Sequence, residues 1–254
     1  QFAFNKSDLH LLSLIQIKKV NLFFGHRVND FELTLSGPEA HHCSKVTRNK
    51  IGDQVLITEF KGIIWYGEIV RILKDELIIQ CKDIYKQLQK SNGEIHIAIS
   101  LTQHMDRFEW FVEKVVESGV DQITPILCER TEHSRIKIDR IQKIILESAK
   151  QTLRPTLPVL NSLISYKEFI ATNVPDQRFI CHCESGNEDF IGEKYKSNED
   201  VTVLIGPAGD FTTNEIKLAM SFNYIPVHLG SFRLRTETAG IATCVILQTL
   251  KNLK

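Results

Sequence analysis

The sequence predicts two domains: a small antiparallel β-barrel followed by an α/β domain built on a mostly parallel sheet. Short apolar runs separated by brief turns fill residues 31–84, which is typical of a small barrel. Residues 87–94 are polar and contain Asn92-Gly93, which indicates a linker. Beyond residue 95, strand-like runs alternate with helical periodicity, the pattern of a parallel sheet covered by helices.

Length and composition support a folded, two-domain protein. The chain has 254 residues, 43% of them hydrophobic, and no net charge. Residues 1–90 hold 13 Lys and Arg against 10 Asp and Glu, a mild basic excess that permits contact with nucleic acid. No apolar run reaches 18 residues, so no membrane-spanning helix is predicted. The six cysteines are scattered and lack a C-x-x-C pair, which favours reduced thiols in a cytoplasmic protein.

The first domain is assigned to residues 21–88, and residues 1–20 are interpreted as an upstream extension. An apolar segment, 21-NLFFG-25, marks its beginning. Gly37-Pro38 predicts a short helix over 38–48, because proline is favoured in the first turn of a helix. His41-His42-Cys43 lacks a second ligand group at zinc spacing, so no metal site is predicted. The predicted strands are 31–36, 53–60, 62–73 and 75–84.

The second domain is assigned to residues 89–254. Its predicted strands are 95–101, 122–127, 178–183, 201–206 and 225–230, and its predicted helices are 106–118, 138–152, 213–221 and 236–250. Asp106-x-x-Glu109 matches a capping pattern, and Gly119 is a C-terminal stop signal. The last helix carries an apolar stripe on one face: Thr238, Ile241, Ala242, Val245, Ile246, Thr249 and Leu250.

Two glycine turns near the C-terminus, 205-IGPAGDF-211 and 229-LGSFRLRTETA-239, each follow a predicted strand and lead into a helix. Thr212 and Glu215 form a capping box for the first of these helices. Ligands of parallel sheets bind at the carboxyl ends of strands, and glycine permits close approach to the backbone. The sequence lacks G-x-G-x-x-G and G-x-x-x-x-G-K-[ST], which disfavours a dinucleotide site and a P-loop. The residues alone leave two readings open, structural turns or a site for an unknown ligand.

The two turns resemble the SPOUT methyltransferases, most closely the RsmE family. Three further blocks resemble that family in the same order: 41-HHCSKVTRNKIGD-53, 106-DRFEWFVEKVVESGVDQITPILCERT-131 and 150-KQTLRPTLP-158. The resemblance implies methylation of N3 of a uridine in 16S rRNA of the small ribosomal subunit, with S-adenosylmethionine as the methyl donor. It also implies a SPOUT trefoil-knot domain with a parallel sheet, a preceding PUA-like RNA-binding barrel, a homodimer and a cytoplasmic location.

The resemblance assigns roles to individual residues. The expected catalytic residues are Arg235, Glu237 and Arg154. Since a cation can stabilise the charge that develops when uracil N3 loses its proton, Arg235 is expected to do so. The expected cofactor-binding residues are His182, Ile205, Gly206, Pro207, Gly209, Leu229, Gly230, Leu234, Thr236 and Thr238. The expected RNA-binding residues are His41, His42, Lys45, Arg48, Lys50 and Arg107, and the run from His41 to Gly52 contains no acidic residue.

Two alternatives stay open, and one departure from the family pattern motivates the second of them. Ala208 stands where the family usually has glutamate. The alternatives are a SPOUT 2′-O-ribose or tRNA methyltransferase and an RNA-binding homologue with weakened catalysis.

Overall fold

A computed structural model describes residues 21–88, 93–172, 175, 177–184 and 189–253. The chain divides into two compact units. The first unit combines the chain up to Leu88 with a later segment, Leu153–Thr156, which the sequence assignment had placed in the second domain. The second unit holds the remaining residues. The predicted extension 1–20 and residues 89–92 of the predicted linker lie outside the described residues.

The first unit contains a six-stranded sheet and one short helix. The strands are β1 (Leu22–Phe24), β2 (His26–Asn29), β3 (Glu32–Ser36), β4 (Gln54–Thr58), β5 (Ile63–Ile72) and β6 (Glu76–Gln87), and the helix is α1 (Gly37–His41). Their order in the sheet is β1-β4-β5-β6-β3-β2. Neighbours are antiparallel as predicted, except that β1 and β4 are parallel, because a long connection through β2, β3 and α1 separates them.

Side-chain alternation explains the core of this unit. In β3, Leu33 and Leu35 are fully buried while the intervening Thr34 is half-buried. β2 carries only exposed side chains, so periodicity did not reveal it. The helix predicted over 38–48 ends earlier, at His41, and a π-helical turn, His42–Val46, follows it. The Thr47 hydroxyl donates to Cys43 O at 2.7 Å and competes with regular helical bonding.

The second unit is a parallel α/β sheet, as predicted. Its strands are β7 (Ile95–Ser100), β8 (Gln122–Leu127), β9 (Val159–Leu160), β10 (Ile164–Ser165), β11 (Gln177–Cys181), β12 (Val201–Ile205) and β13 (Ile225–Val227). The order is β10-β8-β7-β12-β11-β13, with β9 paired to β8, and all pairs are parallel. Every residue of β7 and β12 is buried, as expected for central strands covered on both faces.

Helices cover this sheet. They are α2 (Met105–Ser118), α3 (Ile138–Gln151), α4 (Tyr166–Ile170), α5 (Ile191–Lys194), α6 (Thr213–Ser221) and α7 (Thr236–Asn252). α7 packs on α2, β7 and β12. Residues of α4 and α6 form a hydrophobic cluster with Ala98, Ile180 and Leu204 of the sheet. In the described part of the chain, no helix has the length and hydrophobicity needed to cross a membrane.

Several predicted signals correspond to the structure and others do not. The Thr212–Glu215 capping box is confirmed, and Gly119 ends α2 with a φ of 99°. The Asp106–Glu109 capping pattern is wrong: α2 begins at Met105, and the Glu109 carboxylate accepts a bond from Arg140 Nη2 at 2.6 Å.

Two predicted strands end early. β11 stops at Cys181, because the Cys183 N–H donates to the Asp210 carboxylate at 2.7 Å instead of continuing the ladder. β13 stops at Val227, and the His228 N–H donates to Asp189 O at 2.9 Å. The helices α4 and α5 and the two-residue strands β9 and β10 are too short for periodicity to predict.

Candidate active site

The loops that follow β11, β12 and β13 line one open cavity of about 1190 Å³ in the second unit. The segment between β7 and α2 and the residues after β8 complete its wall. The cavity therefore lies at the carboxyl ends of parallel strands, the edge where such sheets bind ligands. Both glycine turns singled out in the sequence contribute to it.

Most of the predicted site residues line this cavity. They are His182, Ile205, Gly206, Pro207, Gly209, Leu229, Gly230, Leu234, Thr236, Arg235, Glu237 and Arg107. Two of the residues predicted to be catalytic or cofactor-binding do not line it. Thr238 lies in the first turn of α7, outside the lining residues, and Arg154 belongs to the first unit.

A buried hydrogen bond joins the two glycine turns. The Thr236 hydroxyl donates to Gly206 O at 2.9 Å. Thr236 is the first residue of α7 and is buried, as is Gly206, which directly follows β12. This bond holds the start of α7 against the first loop, so the two walls of the cavity are directly connected.

The glycines of the two turns are required for different reasons. A Cβ at Gly206 would lie 3.0 Å from Phe211 Cδ2 and 3.1 Å from Phe211 N, so this glycine admits a neighbouring ring of the protein. Gly230 has a φ of +138° and open space where a Cβ would point. Of these two, Gly230 fits the expectation that a glycine opens the backbone to a ligand, and Gly206 does not.

Asp210 and Arg130 hold the first loop in place. Asp210 has a φ of 70°, and its carboxylate accepts N–H groups from Cys183 at 2.7 Å and Phe211 at 2.8 Å. The Arg130 guanidinium donates to Gly209 O and, at 3.5 Å, to Asp210 O. The loop is therefore held by a cation on two carbonyl oxygens and by a carboxylate on two N–H groups.

A second hydrogen-bond network, centred on Glu215, stabilises the residues that follow the first loop. The Thr212–Glu215 capping box begins α6, and the buried Glu215 also accepts the Glu129 N–H at 2.8 Å. Tyr166 donates its hydroxyl to Glu215 O at 2.7 Å. Glu215 thus connects the loops after β8 and β12 with α4.

The residues after β11 set the local electrostatics. Burial lowers the pKa of His182, although the Asp210 and Glu184 carboxylates act in the opposite direction. His182 Nδ1 accepts the Glu184 N–H at 3.2 Å. Burial and the Asp210 carboxylate raise the pKa of the exposed Cys183 thiol, against the effect of Arg233. At neutral pH this wall therefore presents a neutral imidazole and a neutral thiol.

Cationic side chains and an aromatic ring surround the cavity mouth. Residues 231–235 are all exposed, and Phe232 is 87% exposed. Glu237, expected to act beside Arg235, is buried and lies 4.0 Å from Arg107 Nη1. The carboxylate of Glu237 thus has Arg107 as its ion-pair partner.

Sequence reasoning missed several lining residues, notably Thr102, Gln103, Arg130, Glu184 and Asp210. Arg130 falls inside a block that resembled a known family, and Asp210 falls inside the first glycine turn. The sequence therefore marked both regions, but only the fold shows that Arg130 holds the loop that contains Asp210.

The remaining predicted RNA-binding residues lie in the first unit. His41, Lys45, Arg48 and Lys50 are exposed, whereas His42 is half-buried with its ring 5.6 Å from that of Phe23. Arg48 adopts a φ of 58°. The described residues contain no group of three or more His, Cys, Asp or Glu side chains that is arranged to hold a metal ion.

Comparisons with known proteins agree on one family. Residues 89–248 match the family model for an RNA methyltransferase domain. The chain is 29% identical over 225 residues to ribosomal RNA small subunit methyltransferase E of Buchnera aphidicola, covering 85% of this chain and 87% of that protein.

Solved structures share the fold. A probable rRNA methyltransferase from Porphyromonas gingivalis aligns with a TM-score of 0.83 at 31% identity, over 91% of this chain and 98% of that one. Ribosomal RNA small subunit methyltransferase E from Neisseria gonorrhoeae, bound to S-adenosylmethionine, aligns with a TM-score of 0.78 at 23% identity, over 91% and 98%.

Proposed function

Because the chain belongs to the family of RNA methyltransferase domains, we propose that it methylates N3 of a uridine in 16S rRNA of the small ribosomal subunit. The observation that carries this proposal is the cavity at the carboxyl ends of β11, β12 and β13, which both glycine turns line. Its relatives include proteins named small subunit methyltransferase E. We place its action in the cytoplasm, where the small subunit is assembled.

S-adenosylmethionine is the methyl donor that fits the cavity. Ligand pockets commonly occupy about 300–1,000 Å³, so a cavity of about 1190 Å³ accommodates the cofactor and leaves room for a base. The relative from Neisseria gonorrhoeae binds this cofactor. When bound, it supplies an electrophilic methyl group. The residues we propose to hold it are His182, Ile205, Gly206, Pro207, Gly209, Leu229, Gly230, Leu234 and Thr236.

Charge at the cavity mouth suits a uracil that loses its N3 proton. Methylation replaces that proton, and the base carries negative charge as the proton leaves. We assign Arg235, exposed at the N-terminus of α7, to stabilising this charge. Glu237 is a positioning residue, since its carboxylate faces Arg107 and orients a second cation toward the RNA.

The first unit supplies RNA affinity in this proposal. Lys45, Arg48 and Lys50 are exposed within one short segment, and such cations contact phosphates and give salt-dependent binding. Replacing all three by alanine should weaken binding to the small subunit and flatten its salt dependence, while leaving the dissociation constant for S-adenosylmethionine unchanged. Wild-type methylation rates of the triple variant at about 200 mM salt would exclude this segment as the anchor.

The finer architecture is also proposed. We infer a SPOUT trefoil knot, supported by the return of the chain from β13 at the sheet edge to α7, which packs on the central strands β7 and β12. We assign the first unit to the PUA-like type. We propose a homodimer through α7, because its apolar stripe is turned from the core and Val245 is 46% exposed. A monomer by light scattering at micromolar concentration would contradict the dimer.

Nucleoside mass spectrometry tests the activity. Small subunits from a bacterium lacking its own subunit methyltransferase E should gain N3-methyluridine when incubated with this protein and S-adenosylmethionine. Arg235→Ala should lower kcat with little change in subunit binding, since the charge develops in the transition state. A 2′-O-methyl product would instead support the ribose-methylating alternative. Cofactor and RNA binding without any product would support a weakened homologue, for which exposed Ala208 is the motivating residue.

A further inference from the structure

Phe232 is the most exposed large hydrophobic side chain of the described residues. Its exposed fraction is 87%, and it lies on the loop that lines the cavity mouth. Single exposed apolar residues are ordinary on protein surfaces, so exposure alone says little. The position of Phe232 is what matters, since a ring at the entrance of a methyl-transfer site meets whatever enters it.

The surroundings of Phe232 have the composition of a site for unpaired RNA. Arg233 and Arg235 follow it in sequence, and Arg107 and Arg130 also line the cavity. Proteins that bind single-stranded RNA combine cations for phosphates with aromatic faces on which bases stack. Arg107 already faces Glu237 and Arg130 already binds the Gly209 loop, but an apolar protein partner would leave the exposed Arg233 and Arg235 guanidinium groups without anionic partners.

The loop that carries Phe232 has anchored ends. The Gly230 N–H donates to His228 Nδ1 at 3.1 Å, and the Thr236 hydroxyl donates to Gly206 O at 2.9 Å. Residues 231–235 between these anchors are exposed. The ring is thus presented to solvent from a short segment whose two ends are held against the cavity.

Methylation of uracil N3 requires the base to leave its pairing and stacking partners, because N3 lies on the Watson–Crick edge. We propose, on the basis of the function proposed above, that Phe232 is the aromatic face on which the target uridine stacks when it enters the cavity. Its π face replaces part of the stacking that the base loses, while the Arg233 guanidinium donates hydrogen bonds to an adjoining phosphate.

The test compares Phe232→Ala, Phe232→Leu and Phe232→Trp with the wild type. Three quantities are measured for each: KM and kcat for methylation of unmodified small ribosomal subunits, the dissociation constant for those subunits, and the dissociation constant for S-adenosylmethionine. Phe222→Ala is the matched control. Phe222 is a partly exposed phenylalanine just after the C-terminus of α6, and it is not among the residues that line the cavity.

Stacking predicts a specific pattern. Phe232→Ala should raise KM for subunits about 5- to 150-fold, the range found for loss of one base–aromatic stack. Phe232→Leu should lose nearly as much, because it retains apolar area without a π face, and Phe232→Trp should restore binding. Affinity for S-adenosylmethionine should stay within about twofold of the wild type in every variant, and Phe222→Ala should behave as wild type.

Other outcomes overturn the inference. Wild-type behaviour of Phe232→Leu would show that the ring contributes only apolar contact. A parallel loss of S-adenosylmethionine affinity would make Phe232 part of the cofactor wall, and a monomeric Phe232→Ala protein would make it an interface residue. If the wild type forms no N3-methyluridine, the proposed function fails, and the subunit dissociation constants still decide whether Phe232 binds RNA.

Discussion

Replacing Thr236 by valine should uncouple the two walls of the cavity. Valine has nearly the shape of threonine and a similar helix propensity, so the substitution removes the hydroxyl and little else. The hydroxyl donates to Gly206 O at 2.9 Å, and both residues are buried. Leaving a buried carbonyl without its donor costs about 1–3 kcal/mol.

A loss of this size in the free energy of unfolding is large enough to measure by calorimetry. For a unit of this size, about 1 kcal/mol shifts the melting temperature by about 2–4 °C, so Thr236→Val should melt about 2–12 °C lower. Its affinity for S-adenosylmethionine should fall about fivefold or more, because the Gly206 loop loses its anchor on α7. Differential scanning calorimetry and titration calorimetry measure the two effects.

Thr243→Val is the matched control on the same helix. Thr243 is fully buried, and its hydroxyl makes no hydrogen bond of standard geometry, although the Cys181 thiol interacts with it weakly. This variant should keep or raise the melting temperature, because it removes a buried polar group with no good partner. Equal destabilisation by the two substitutions would refute the role of the Thr236 bond. Unchanged cofactor affinity in Thr236→Val would show that the bond supports the fold but not the site.

Three further predictions follow from local geometry. Gly206→Ala should lower the melting temperature by displacing Phe211. Gly230→Val should weaken S-adenosylmethionine binding by tenfold or more and also lower the melting temperature, because valine is strained at a φ of +138°. Scanning and titration calorimetry measure both effects, and wild-type cofactor affinity in Gly230→Val would contradict this. Burial lowers the pKa of His96 to about 4, so the stability present above about pH 6.5 should decline by up to about 3 kcal/mol as the pH falls toward 4. Urea unfolding across that range should show a smaller decline in His96→Gln but an unchanged one in the exposed control His133→Gln. Gly240→Ala should destabilise the protein by about 1–3 kcal/mol despite better helix propensity, because a Cβ would lie 2.8 Å from Phe111 Cδ2; an unchanged urea midpoint would contradict this.

The sequence by itself determined the parallel α/β class of the second domain and the strand edge at which the candidate site lies. The pattern placed β8 at Gln122–Leu127 from its short apolar run, and it placed α6 at Thr213–Ser221 because the Thr212–Glu215 capping box fixes where that helix begins. The glycine turns after β12 and β13 indicated the ligand-binding edge, since parallel strands bring their carboxyl ends together. The resemblance then supplied the family, which the comparisons confirm.

Only the tertiary structure decided how the site is built. Asp106 and Glu109 have the spacing of a cap, yet Glu109 faces Arg140 on α3, a partner 31 residues away that no local pattern indicates. Gly206 and Gly230 look equivalent in the sequence, but one admits the Phe211 ring and the other opens to the cavity. Arg130 reaches the Gly209 loop across 79 residues. Local sequence encodes periodicity and turns, whereas these roles depend on contacts between distant segments that exist only after the sheet has assembled.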